Sequence, residues 1–275
     1  MLVTRLMLVM GLGIPAAAPA DTAPRWEFGI GAGAVSLPDY RGSDNRSTYL
    51  LPLPYVNYRG ERLNVDREGM RGGLFRSERL RLDLSVAAAP PAKSDSGARE
   101  GMPELDPAFE LGPSLGIGLG HWGGRWSLHL PLRVVIASDL RHAESIGWVF
   151  SPYLKFAVGE SGAWEYDVSV GLMYASEAYH DYYYQVGSEY ATVARPAYDA
   201  RAGYSGARVT FTLGKRYDRL WIGLFARYDD LSGAAFRSSP LVETDSSLIV
   251  GGGIAWTVAR SARAAPPREP SSVAP

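Results

Sequence analysis

The chain has 275 residues, a formal net charge of −1 and no cysteine. Near-neutral charge argues against nucleic acid as a partner, and the missing thiols exclude a disulfide framework and thiolate metal sites. The 31 glycines, 16 tyrosines and seven tryptophans fit an aromatic-rich β architecture better than a helical one.

Residues 1–20 have the form of a secretory signal peptide. Arg5 supplies the positive charge, residues 6–14 a short apolar core, and Ala18-Pro19-Ala20 a small-x-small cleavage site. The core is too short for a spanning helix, and no later stretch is long and apolar enough to be one. Residues 21–258 then read as a barrel, and residues 259–275, rich in proline, alanine and arginine, as a disordered periplasmic tail.

Period-2 alternation recurs along the mature chain. The first strand, residues 25–36, sets Trp26, Phe28, Ile30, Ala32 and Ala34 against Glu27, Gly29, Gly31 and Gly33. A second, residues 49–58, carries Pro52 and Pro54 and is expected to be irregular. Two short weak strands follow, at 62–65 and 70–75. In residues 79–88, Leu80, Leu82, Leu84 and Val86 alternate with Arg79, Arg81, Asp83 and Ser85.

The clearest hairpin spans residues 109–136. Phe109, Leu111, Pro113, Leu115, Ile117 and Leu119 form one apolar face, and Trp126, Leu128, Leu130, Leu132, Val134 and Ile136 the next. Opposite them stand Glu110 and a run of small residues, then Ser127, His129, Pro131 and Arg133. The next strand places Ile146, Trp148, Phe150, Leu154, Phe156 and Val158 on one face and Gly147, Ser151, Tyr153 and Lys155 on the other. Residues 164–172 oppose Trp164, Tyr166, Val168, Val170 and Leu172 to Glu165, Asp167 and Ser169. After a tyrosine-rich loop, residues 203–217, 219–229 and 248–258 repeat the pattern, with Arg208, Arg227 and Asp229 on the polar side.

These segments predict about twelve antiparallel strands, mostly joined by alternating short turns and long loops, which is the signature of an up-and-down outer-membrane β-barrel. The polar face carries Arg79, Arg81, Asp83, Glu110, His129, Arg133, Lys155, Glu165, Asp167, Arg208, Arg227 and Asp229. Unpaired charge of that density cannot sit in a dry core, so these residues are expected to line a hydrated lumen. A soluble periplasmic sandwich is the competing reading. Six of the seven tryptophans fall at the expected periplasmic ends, where indole rings prefer the headgroup level.

Candidate chemistry is sparse. The four histidines lack metal-ligand spacing, and no cofactor motif is present. Ser127 and His129 share a face, but it is the inward one, which favours a luminal polar pair over a lipid hydrolase. Glu165 and Asp167 could suggest a glycosidase pair; luminal charge balance explains them more simply. Tyr182, Tyr183 and Tyr184 could form an outer recognition surface or pack the long loop over the barrel mouth.

Several segments resemble the MipA/OmpV family of outer-membrane proteins. They are Pro38-Asp39-Tyr40-Arg41-Gly42-Ser43-Asp44, Pro52-Leu53-Pro54-Tyr55-Val56, Leu111-Gly112-Pro113, Asp181-Tyr182-Tyr183-Tyr184-Gln185-Val186 and Pro196-Ala197-Tyr198-Asp199-Ala200. The resemblance implies an outer-membrane location among lipid and lipopolysaccharide. It also implies a non-enzymatic scaffold that binds a lytic murein transglycosylase and a penicillin-binding protein. A small-solute pore is the alternative.

Overall fold

The computed structural model describes residues 24–59, 63–66, 69–72, 75–77, 79–95, 97–139, 141–159 and 163–261. The signal segment and nearly all of the tail lie outside these. Among the described residues, fourteen strands form one antiparallel sheet. They are β1 (Trp26–Pro38), β2 (Arg46–Arg59), β3 (Leu63–Asp66), β4 (Gly69–Gly72), β5 (Phe75–Arg76), β6 (Leu80–Ala89), β7 (Ala108–His121) and β8 (Arg125–Ser138). The rest are β9 (Ala143–Phe150), β10 (Tyr153–Val158), β11 (Glu165–Ala175), β12 (Gly203–Tyr217), β13 (Leu220–Asp230) and β14 (Ser246–Arg260). One helix, α1 (Glu177–Tyr184), lies between β11 and β12.

The first strand pairs with the last, from Glu27 opposite Arg260 to Ser36 opposite Val250. At the other end of the pairing order, β4 comes alongside β6. The sheet therefore returns on itself. Closure matters because an unpaired edge in hydrocarbon leaves backbone donors and acceptors without partners, at several kcal/mol for each group. Strands of 14 residues in β7 and β8 exceed the length a tilted strand needs to cross a bilayer.

The fold class is the one the alternation predicts. Ile30, Leu111, Val134, Val170, Leu224 and Ile254 are each more than half exposed on the outer wall. So broad an apolar belt needs lipid as its solvent. At the ends expected to face the periplasm Trp26, Trp122, Trp164 and Trp256 are also exposed, and the Lys215 ammonium lies 5.7 Å from the Trp164 ring and 5.0 Å from that of Tyr217. A long cationic side chain lying beside interfacial aromatics keeps its head in the polar layer.

The structure departs from the sequence pattern at five places. The stretch expected to be one strand over 146–158 is two, β9 and β10, interrupted at Ser151-Pro152; Pro152 has no N–H to give a ladder, although its carbonyl accepts from Leu172 at 3.0 Å. Over the second weak strand the described residues give β4, paired with β3, and β5, paired with β6. Ile146, expected among the lipid-facing residues, is buried on the inner face. A register shift beside it, with Gly147 at a φ of 107°, turns the side chain inward. Trp221, placed with the interfacial tryptophans, also faces in and is 3% exposed. At the carboxyl end β14 runs through Ala259 to Arg260, two residues beyond the expected barrel limit.

Candidate functional site

The outer half of the bore is filled by the chain's own loops. Helix α1 begins at Ser176, whose Oγ accepts hydrogen bonds from the Tyr179 amide at 3.3 Å and the Trp148 amide at 3.0 Å. This joins the helix cap to the wall. A side chain at Gly147 would put its Cβ 2.0 Å from that Oγ, so only glycine fits. Tyr179, His180, Tyr183 and Tyr184 of α1 are buried. They pack against Ala108 of β7, Val135 of β8, Val149 of β9, Met173 of β11, and Leu231 and Phe236 of the loop after β13. Tyr184 stacks on Phe236 with centroids 3.7 Å apart and planes 3° apart.

Hydroxyls in this plug find backbone acceptors. The Tyr184 hydroxyl donates to the Arg41 carbonyl at 2.9 Å, Tyr40 to the Leu241 carbonyl at 2.8 Å, and Ser239 to the Tyr184 carbonyl at 2.7 Å. Arg99 reaches in from the loop after β6 and donates to the carbonyls of Tyr183 and Pro103, each at 3.0 Å. His180 is inaccessible to solvent. Its Nδ1–H donates to the Arg201 carbonyl at 2.5 Å, and its Nε2 accepts from the Ser205 hydroxyl at 2.6 Å. Burial, with Arg41 nearby, pushes the imidazole below its ordinary value. Burial raises Tyr179 to about 12 and lifts Tyr183 and Tyr184 well above the usual phenol range.

The tyrosine run is therefore internal packing more than outer surface: Tyr183 and Tyr184 are 9% and 2% exposed. Tyr182 is half-buried and accepts a hydrogen bond from the Asp106 amide at 2.7 Å.

Beneath the plug, two facing charged groups line the wall. On one side Arg208 of β12 donates through Nε to Asp229 of β13 at 2.7 Å. Arg227 meets the other oxygen of the same carboxylate at 3.2 Å, and Arg41, descending from the loop after β1, approaches it at 3.5 Å. Asp229 has no exposed surface. On the other side Arg133 donates to Glu110 at 2.7 Å, Ser85 at 3.0 Å and Ser151 at 2.9 Å. Broken pairing supports this side: a Cβ at Gly112 would lie 2.0 Å from the Leu132 carbonyl oxygen.

Toward the periplasmic end, ion pairs match one cation to one carboxylate: Arg81 with Asp83 at 2.5 Å, Lys155 with Asp167 at 3.5 Å and Arg216 with Glu27 at 3.6 Å. Ser127 and His129 bond at 3.0 Å, and His129 stacks on Tyr153 at 4.7 Å. Glu165 is partly buried near this end, and Arg79 is exposed at its rim. The twelve residues expected to line the lumen thus divide into an upper cluster, a lower set of pairs and a rim. Sequence reasoning missed Arg41, because it belongs to a loop with no alternation to orient it. Arg216 was missed too, although period-2 parity with Arg208 places it inward.

The family model described as MltA-interacting protein MipA matches residues 30–258. The chain belongs to this family. A putative outer membrane protein YiaT from Escherichia coli O157:H7 is 25% identical over 241 residues, covering 84% of this chain and 90% of the relative. Outer membrane protein Omp26La from Vibrio anguillarum is 23% identical over 240 residues, covering 84% and 86%. An outer membrane channel from Pseudomonas putida F1 aligns with a TM-score of 0.42 at 11% identity, covering 88% of this chain and 99% of that one. As a family member with an apolar outer wall, the chain is an outer-membrane barrel.

Proposed function

We propose that this MipA-family barrel is a non-enzymatic docking platform for a murein-remodelling enzyme of the lytic transglycosylase class, and through it a penicillin-binding protein. The family description supplies the partner class. The observation that carries the reading is the filled outer end, where the Tyr184, Phe236, Leu231 and Leu241 side chains are each no more than 2% exposed. With that end filled, the surface open to the periplasm is left for exchange, and the partner meets the short turns there. Trp122, at the tip of the β7–β8 turn and 68% exposed, is the most prominent aromatic on that side among the described residues.

Affinity capture on the folded barrel from detergent-solubilised envelopes tests this. The expected result is co-purification of a lytic transglycosylase identified by mass spectrometry, reduced severalfold by Trp122→Ser. Absence of any murein-remodelling enzyme from the wild-type eluate sinks the reading. A second reading, a small-solute channel opened by displacement of the plug, draws support from the charged bore. Planar-bilayer traces closed at all voltages, in the wild type and in plug variants alike, would remove it.

A further inference from the structure

We propose that the upper charged cluster is an anion-binding site in the bore, entered from the periplasmic side, for a small solute bearing a phosphate or carboxylate group. It does not depend on the docking role. The carrying observation is an imbalance of charge. Among the described residues, Arg41, Arg133, Arg208 and Arg227 face only Asp229 and Glu110, four cations to two carboxylates, whereas the ion pairs described lower in the bore are matched one to one. Glu110 also lies within electrostatic reach of Arg208 and Arg227, so the two sides share one field across the bore.

Hydrogen bonding shows the same deficit. A guanidinium offers five N–H donors in a planar fork suited to oxyanions. Among the described residues, the Nε–H of Arg41 is buried with no acceptor. Arg41 Nη1 has only the Met173 thioether, at 3.0 Å, and a thioether is a weak acceptor. Asp229 takes Arg208 Nε at one oxygen and faces Arg227 at 3.2 Å with the other, so one carboxylate stands against three guanidiniums. An oxyanion with two or three oxygens supplies both the charge and the acceptors that the wall lacks. The packed plug above closes the far side.

Binding of inorganic phosphate to the full-length folded barrel in detergent, followed by titration calorimetry at fixed ionic strength in sodium chloride, tests the site. Succinate in a parallel titration separates a phosphate from a carboxylate ligand. The wild type is expected to show saturable binding of at least one of the two. Arg227→Gln should weaken it at least tenfold, and Arg216→Gln, in a matched pair lower down, should leave it unchanged. Thr210 is the cross-strand partner of Arg227, and Thr210→Glu supplies a built-in carboxylate that should abolish binding with all four arginines retained. Heat-modifiable gel mobility identifies the folded variants. No saturable heat with either anion, equal loss in Arg216→Gln, or wild-type binding by folded Thr210→Glu overturns the proposal.

Discussion

At the scale of single residues, His180 is the most consequential side chain in the plug. It is inaccessible, holds one proton on Nδ1 for the Arg201 carbonyl, and presents Nε2 as the acceptor for Ser205. A second proton would convert that acceptor to a donor and place a cation in an aromatic pocket near Arg41. Its folded-state value lies below the ordinary 6.5. Between the folded and ordinary values the unfolded plug binds more protons than the folded one, so stability falls as pH drops below 6.5. Cleavage of the outer loops by added protease, normalised to an unfolded substrate, should rise between pH 7.5 and 5.5. His180→Gln, whose amide can both donate and accept, should flatten that rise. Equal wild-type cleavage at both pH values would count against this role. Gly147 is the second such position: Gly147→Ala forces a Cβ into the Ser176 cap at a φ of 107°. The combined cost of strain and a disturbed cap is roughly 2 kcal/mol, read as a lower urea midpoint for loop protection.

At the scale of elements, α1 is the piece that distinguishes this barrel from an open tube. Its aromatic face is only eight residues long and could not hold a helix alone; the walls and the loop after β13 hold it. Truncating Tyr184, which is 2% exposed and stacked on Phe236, should cost the plug about 3–5 kcal/mol, as for other large-to-small changes at buried aromatics. Tyr184→Ala is therefore expected to show conductance events in planar bilayers where the wild type is quiet. Identical traces would mean that the aromatic stack does not hold the seal. Strands β1, β7, β8 and β11 to β14 respond differently, since each is paired on both sides along most of its length. Loss of one lipid-facing side chain leaves their ladders intact.

At the scale of the whole molecule, the apolar belt and the charged bore make one claim about solvent: lipid outside, water within. Leu115 and Leu130 are cross-strand partners on the outer wall. Spin labels placed there one at a time should be reached by oxygen and shielded from a polar nickel reagent. A label in contact with the polar reagent would contradict the orientation. The lipid-facing set was legible from the chain because period-2 alternation is a local property: Leu111, Leu130, Val170 and Leu224 could be assigned to a face from their immediate neighbours. Ile146 escaped, because a bulge inverts parity there. Trp221 kept its parity with Arg227 and Asp229 and turned in, where an interfacial place at the rim was expected.

The sequence by itself determined the class of fold, the membrane as solvent and most of the residues facing each way, because each follows from spacing within one strand. The tertiary structure decided how the outer mouth is filled and how the bore charges are shared out. Tyr40 meets Leu241 across 201 residues of chain and Tyr184 meets Arg41 across 143. Contacts between loops so far apart leave no periodic trace, and they form only once the closed sheet has brought the loops to one end.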